Sequence, residues 1–283
     1  MAISPFGSRD RAAGSHQRRS LKTLPIRSLV PNSLTVMALC AGLTSIRFGL
    51  DGKFELAVLA ICVAAILDGL DGRVARLLKG TTKFGAELDS LSDFLCFGVA
   101  PVMLLYLWTL NGLGGLGWIV VLGFAVCCAL RLARFNVALE DPDKPAWTAN
   151  YFIGVPSPAA AGLVMLPLYL SFIGVDFLKN VPVLIAAYVA GIAFLMVSKI
   201  PSFSGKRLGM RVRRDEMLPV LLGVALSVAV LFSYPWITLC VLVIGYLAFL
   251  PVSTMRYRHH QKRTAFVSDD DEDDEDEFLA DSK

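Results

Sequence analysis

The fold class that the sequence predicts is an all-α, polytopic transmembrane bundle of about eight spans with both termini cytoplasmic. Three observations predict it. The 283-residue chain is 55% hydrophobic with a mean hydropathy of +0.60, outside the range of ordinary soluble globules. Its apolar residues fall into segments close to the ~20 residues that cross a hydrocarbon core. The basic residues of the connecting loops concentrate in alternate loops, and so on one side.

The chain opens on a polar, cationic stretch (residues 1–28, with Arg9, Arg11, Arg18, Arg19, Lys22 and Arg27), read as a basic, disordered arm. A cleaved signal peptide is a poor match, because the first apolar run starts late and has no convincing cleavage site. A transmembrane catalytic domain is expected over 29–254. Its apolar segments run at about 30–48, 54–78, 85–110, 116–138, 157–174, 181–198, 217–233 and 235–252. The last two are short and meet at Ser233-Tyr234-Pro235, so one re-entrant hairpin is the alternative to two spans.

Residues 255–283 are expected to be a cytoplasmic tail containing nine consecutive acids, residues 269–277, read as a solvated run. Residues 1–268 hold 26 basic against 14 acidic residues, a net +12 that the formal +3 of the whole chain conceals. Loop by loop, Arg73, Arg76, Lys79 and Lys83 fall on the same side as the basic arm. So do Arg131, Arg134 and the Lys199-to-Arg214 cluster. The other side carries little beyond Arg47, Lys53 and Lys179. The positive-inside rule places the first side in the cytoplasm. A bacterial inner (plasma) membrane is the expected location.

Cys40, Cys62, Cys96, Cys127, Cys128 and Cys240 all lie in apolar segments without metal-ligand spacing, as small buried hydrophobes do. His16, His259 and His260 lie outside those segments, which argues against a histidine-ligated zinc centre.

The chemistry is concentrated in two aspartate pairs. Asp68 and Asp71 are spaced i, i+3 near the end of the second span, and Asp89 and Asp93 i, i+4 near the start of the third. Each pair therefore projects from one face of its helix. A tight turn between the two helices brings four carboxylates to one point. A carboxylate inside a bilayer costs a few kcal/mol, and four together repel unless divalent cations sit among them. Oxygen-only ligation suits Mg²⁺ or Mn²⁺. Asp68, Asp71 and Asp89 are assigned to metal; Asp93 either completes the site or serves as a base. Gly72 and Gly85 allow close approach of a helix or ligand. Arg76, two turns beyond Asp68, presents donors suited to a phosphate. The reaction class suggested is phosphoryl-type transfer.

The complete pattern, D-x-x-D-G-x-x-A-R-x8-G-x-x-x-D-x-x-x-D over Asp68–Asp93, resembles the signature of the CDP-alcohol phosphatidyltransferases at every signature position. The resemblance implies a two-metal site at the cytoplasmic surface, with Asp68, Asp71 and Asp89 as ligands. It implies that Asp93 contacts the second metal and deprotonates the acceptor hydroxyl. It also implies that Gly72, Ala75, Arg76 and Gly85 lie against the cytidine diphosphate. Pro31-Asn32-Ser33-Leu34-Thr35 resembles the segment bordering the nucleotide pocket, which makes Asn32 and Thr35 candidates for CDP-lipid binding. On the residues alone, the same segment is a helix start with an early proline.

Arg131-Leu-Ala-Arg134-Phe-Asn136 and Phe152-Ile-Gly-Val-Pro156-Ser157-Pro158 resemble the branch of the family that uses serine as acceptor. That branch implies transfer of a phosphatidyl group from CDP-diacylglycerol to L-serine, with release of CMP. Arg134, Asn136 and Ser157 are the acceptor-binding candidates: Arg134 to pair with a carboxylate, the other two to bond polar ends. A homodimer in the bilayer is expected, and no nucleic-acid partner. The rival readings are the same chemistry with glycerol 3-phosphate, inositol phosphate or choline, and a cation-coupled transporter using the aspartates as ion ligands. A transporter has no use for the Gly72, Arg76 and Gly85 set.

Overall fold

The computed structural model describes residues 26–140, 151–198, 201–203 and 217–249. The remainder of the basic arm and the acidic tail lie outside the described residues. Helix α1 (Ile26–Leu50) begins inside the expected arm, so Pro31 is an interior residue of the helix and does not mark its start. A proline there has no N–H for the carbonyl of Arg27. The chain at Gly80 packs against that carbonyl so closely that a Cβ on Gly80 would collide with it. The turn after the second helix is thereby seated on the first turn of α1.

At the far end of α1, Gly52 takes a positive φ of 73° and the chain reverses into α2 (Phe54–Leu77). The two helices pack along each other as an antiparallel hairpin. Helix α2 closes in a Schellman motif: the Gly80 N–H donates to Ala75 O (3.0 Å) and the Lys79 N–H to Arg76 O (3.3 Å). Lys79 supplies the left-handed residue, with φ 51°. Thr82 then caps α3 (Lys83–Asp93), its Oγ1 accepting from the Gly85 N–H at 3.0 Å. Only a few residues separate the helices that carry the two aspartate pairs.

Helix α3 continues through a π-helical turn (Phe94–Val99) into α4 (Ala100–Trp108). Pro101 explains the widened turn: it cannot donate to the carbonyl one turn back, and the i→i+5 register absorbs the defect. After a 3₁₀ turn (Leu110–Leu113), α5 runs from Gly115 to Glu140. The expected fifth segment is broken into α6 (Ser157–Val164) and α7 (Leu166–Phe172), because Pro167 lacks the N–H that would continue the ladder past Met165. Helix α8 (Pro182–Val197) follows a 3₁₀ turn at Asp176–Asn180. The last pair, α9 (Met217–Ser233) and α10 (Pro235–Phe249), bends by 118° at the break before Pro235. Among the described residues the one sheet is a small antiparallel ribbon, β1 (Tyr151–Ile153) with β2 (Pro201–Phe203), which pairs Phe152 with Ser202.

Among the described residues, three helices are long and apolar enough to cross a membrane, Arg27–Leu50, Lys83–Trp108 and Gly115–Ala138, or four if the bent pair counts as one span. Helix α2 carries Glu55, Asp68, Asp71, Arg73 and Arg76 and is not one of them. The core lies between these helices, with Val58, Leu104, Phe124, Leu168, Tyr169 and Met196 fully buried. Large apolar side chains such as Ile66, Ile119, Val183, Phe194 and Leu222 face outward, as lipid contact allows and water does not. The chain is an integral membrane protein.

Helix α1 approaches the α3–α4 span through Gly42 and Gly49, one heptad apart. A Cβ at Gly42 would stand 2.6 Å from Cys96 Sγ, and one at Gly49 2.5 Å from Leu104 Cδ2. Gly42→Val should therefore overpack this interface and destabilise the protein by about 1–3 kcal/mol. A lowered melting temperature of the detergent-solubilised protein would register the effect. Gly191→Ala, which meets nothing within 4 Å, should leave it unchanged or higher.

Candidate active site

The Schellman turn and the Thr82 cap fold α3 back so that α2 and α3 both lie against α1, and bring the two aspartate pairs together. One carboxylate oxygen each from Asp68, Asp71 and Asp89 lies within 4.8 Å of the others. The fourth carboxylate, Asp93, is within hydrogen-bonding reach of Asp68. Asp71 is buried at 4% exposure, and Asp93 Oδ1 is buried without a hydrogen-bond partner. Carboxyl groups this close must share protons or a cation. The donor set consists of oxygens, and among the described residues it is the one acidic cluster that could hold a metal ion. An unpartnered carboxylate oxygen beside such a cluster fits a hard divalent cation.

Beside the cluster opens a cavity of about 180 Å³. All six residues expected to face the CDP-lipid line it: Asn32, Thr35, Gly72, Ala75, Arg76 and Gly85. Asp71 and Asp89 form part of the same wall. Gly85 is needed there for close approach, since a Cβ would stand 2.8 Å from Asn32 Oδ1. Gly80, Thr81 and Thr82 also line the cavity and were not expected to. Their signal was the short polar turn between two aspartate-bearing helices, which necessarily borders whatever those helices enclose.

The expected acceptor residues each bond a different neighbour. Arg134 is exposed, and its NH1 donates to the carbonyl of Val197 (3.0 Å) at the end of α8. Asn136 Nδ2 donates to Ser90 Oγ (2.9 Å) on α3. Ser157 is fully buried at the start of α6 and accepts from Arg131 NH1 at 2.5 Å. Arg131, absent from the expected set, is the arginine that feels the charge of Asp93, and its Nε is buried without a partner. The signal that would have singled it out is depth. Arg131 stands one turn further into the apolar segment than Arg134, where an arginine costs more and more often has a task.

The comparisons with known proteins agree with this geometry. The family model for CDP-alcohol phosphatidyltransferase matches residues 28–198, and that for CDP-alcohol phosphatidyltransferase 2 matches residues 217–251. The chain belongs to the CDP-alcohol phosphatidyltransferase family. Within it, the chain is similar to proteins named CDP-diacylglycerol–serine O-phosphatidyltransferase. The one from Mycobacterium leprae is 39% identical over 232 residues, covering 81% of this chain and 76% of the relative. That from Helicobacter pylori is 40% identical over 178 residues, covering 62% and 73%. That from Bacillus subtilis is 36% identical over 171 residues, covering 60% and 88%.

Titration of the purified protein with Mn²⁺, followed by loss of the free-ion EPR signal, should detect binding at the aspartate cluster. Asp89→Asn should weaken that binding tenfold or more, on the order of 1.4 kcal/mol, by removing charge from the three-carboxylate set. Asp93→Asn should weaken it less. Equal loss in the two variants would make Asp93 chiefly a ligand.

Proposed function

We propose that this protein transfers a phosphatidyl group from CDP-diacylglycerol to the hydroxyl of L-serine, giving phosphatidylserine and CMP. The observation that carries the reading is the four-aspartate cluster set beside a cavity lined by the remaining signature residues, in a chain whose relatives bear that name. Asp68, Asp71 and Asp89, with Asp93, would hold two divalent cations, Mg²⁺ or Mn²⁺. When bound, these neutralise charge on the diphosphate and on the departing CMP.

The chain's own residues do the rest. Asn32, Gly72, Ala75, Arg76 and Gly85 receive the cytidine diphosphate, the glycines by leaving room and Arg76 by donating to phosphate oxygens. Asp93 takes the proton of the serine hydroxyl. The serine oxygen then forms its bond to the lipid-side phosphorus while the bond from that phosphorus to the CMP oxygen breaks, and CMP leaves with the electron pair. Arg134, Asn136 and Ser157 are retained as acceptor candidates. Arg131 joins them as a cation whose charge acts on the base, suited to the serine carboxylate.

The same reading has residues 29–254 as a catalytic membrane domain of about eight crossings, flanked by a basic arm (1–28) and a tail (255–283). Both flanking segments and the active site would lie on the cytoplasmic side of a bacterial inner membrane. The loop charges support that orientation. Diacyl chains would enter laterally from the cytoplasmic leaflet, and a homodimer is expected.

The deciding experiment supplies labelled CDP-diacylglycerol with serine, glycerol 3-phosphate, inositol phosphate and choline in competition. Phosphatidylserine should be the product, its formation abolished by EDTA and restored by Mn²⁺ or Mg²⁺. Formation of phosphatidylglycerophosphate alone would overturn the serine assignment, and full turnover in chelator the metal site. Separately, Arg131→Lys should raise the apparent KM for serine more than Arg134→Ala does, with the KM for CDP-diacylglycerol little changed in either. A rise confined to the lipid KM would move Arg131 to the phosphate site.

A further inference from the structure

Thr35 lines the nucleotide cavity, yet its polar atoms are already engaged with the two aspartate-bearing helices. Its Oγ1 stands 2.5 Å from Asp71 Oδ2 and 3.1 Å from the carbonyl of Pro31, one turn earlier in α1. A hydroxyl has a single proton to donate. The shorter contact, to a carboxylate, is the stronger claim on it. The backbone of the same residue reaches the other helix: the carbonyl of Thr35 accepts from Ser92 Oγ at 3.4 Å. Ser92 is 2% exposed and stands between Asp89 and Asp93 on α3. One residue of α1 thus touches the carboxylate of α2 and the segment of α3 that carries the second pair.

We infer that Thr35 is a positioning residue for the metal site. Its hydroxyl holds Asp71 Oδ2, which fixes the rotation of that carboxylate. The one other hydrogen bond to the Asp71 carboxylate comes from the backbone N–H of the adjacent Gly72, so Thr35 is its one side-chain donor among the described residues. A carboxylate ligand free to rotate must be ordered each time an ion binds. One held by a hydrogen bond from its far oxygen is already aimed. The inference rests on the reading of the aspartates as metal ligands. It differs from a nucleotide-contact role for Thr35, because a hydroxyl proton given to Asp71 is not available to a ligand in the cavity.

The two roles separate on binding measurements with the full-length, detergent-purified protein. Mn²⁺ alone is titrated first, by EPR, and CMP is then titrated at saturating Mn²⁺. Thr35→Val, nearly isosteric but without the hydroxyl, should weaken Mn²⁺ binding about 10–100-fold, the usual cost of losing an outer hydrogen bond to a metal ligand. Thr35→Ser, which keeps the donor, should restore it to within a few-fold. CMP affinity at saturating Mn²⁺ should stay near wild type in both. Thr35→Ala carries the same expectation as the valine variant and replaces it if that variant does not fold. Wild-type Mn²⁺ affinity in either hydroxyl-free variant, with CMP binding lost, would overturn the inference and make Thr35 a nucleotide contact. A wild-type protein that binds no Mn²⁺ would overturn the metal reading itself, and this inference with it.

Discussion

Repulsion among carboxylates in a poorly solvated place is the constraint on which the rest of this structure depends. Asp68, Asp71 and Asp89 each contribute an oxygen within 4.8 Å of the others, and Asp93 reaches Asp68. At that separation each like-charge pair costs on the order of 3 kcal/mol at an effective dielectric constant near 20. Several such pairs compare with the whole stability of an ordinary domain. The arrangement is therefore sustained only with a cation or protons among the carboxylates, and the surrounding helices must hold the groups close regardless. A site built this way is ready to receive a diphosphate, because cations that neutralise the aspartates also attract the phosphates.

Holding the groups close falls to α1. In its first turn the Arg27 carbonyl receives no N–H from Pro31, and the Gly80 turn sits on the carbonyl so exposed. Its second and third turns present Asn32 to Gly85 and Thr35 to Asp71. Further along, Gly42 and Gly49 let the α3–α4 span lie directly against it. Three helices are thereby pinned at the aspartate end by polar contacts and toward the far end by close backbone approach. Polar contacts are worth most where water is scarce, which is why they gather around the site and not along the lipid-facing stripes.

Helices α5 and α6 contribute a further polar pair, Arg131 with the buried Ser157. An arginine fully paired with neutral or anionic neighbours would be an anchor. Arg131 instead keeps a buried Nε without a partner and stands where Asp93 feels its charge. A buried donor left without a partner calls for a reason beyond packing. Arg134, one turn nearer the loop, has spent a donor on the end of α8, and that bond secures the chain just before β2.

What the sequence by itself determined is the set of faces. The i, i+3 and i, i+4 spacing of the aspartates, with Gly72, Arg76 and Gly85 at their offsets, specified one carboxylate cluster and one adjoining cavity. The tight turn and the antiparallel hairpin followed from the short polar connection. Helical periodicity is local, so these features survive any arrangement of the remaining spans. Which neighbours a face meets is not local. The Thr35–Asp71 bond joins residues 36 apart, and the Arg131–Ser157 bond residues 26 apart. Nothing in either segment announces its partner. The break of the fifth segment at Pro167, the π-helical turn ahead of Pro101 and the entry of Pro31 into the body of α1 belong to the same class. A proline marks where a helical ladder loses a bond, but only packing decides whether the chain breaks there, widens by one residue or carries on through.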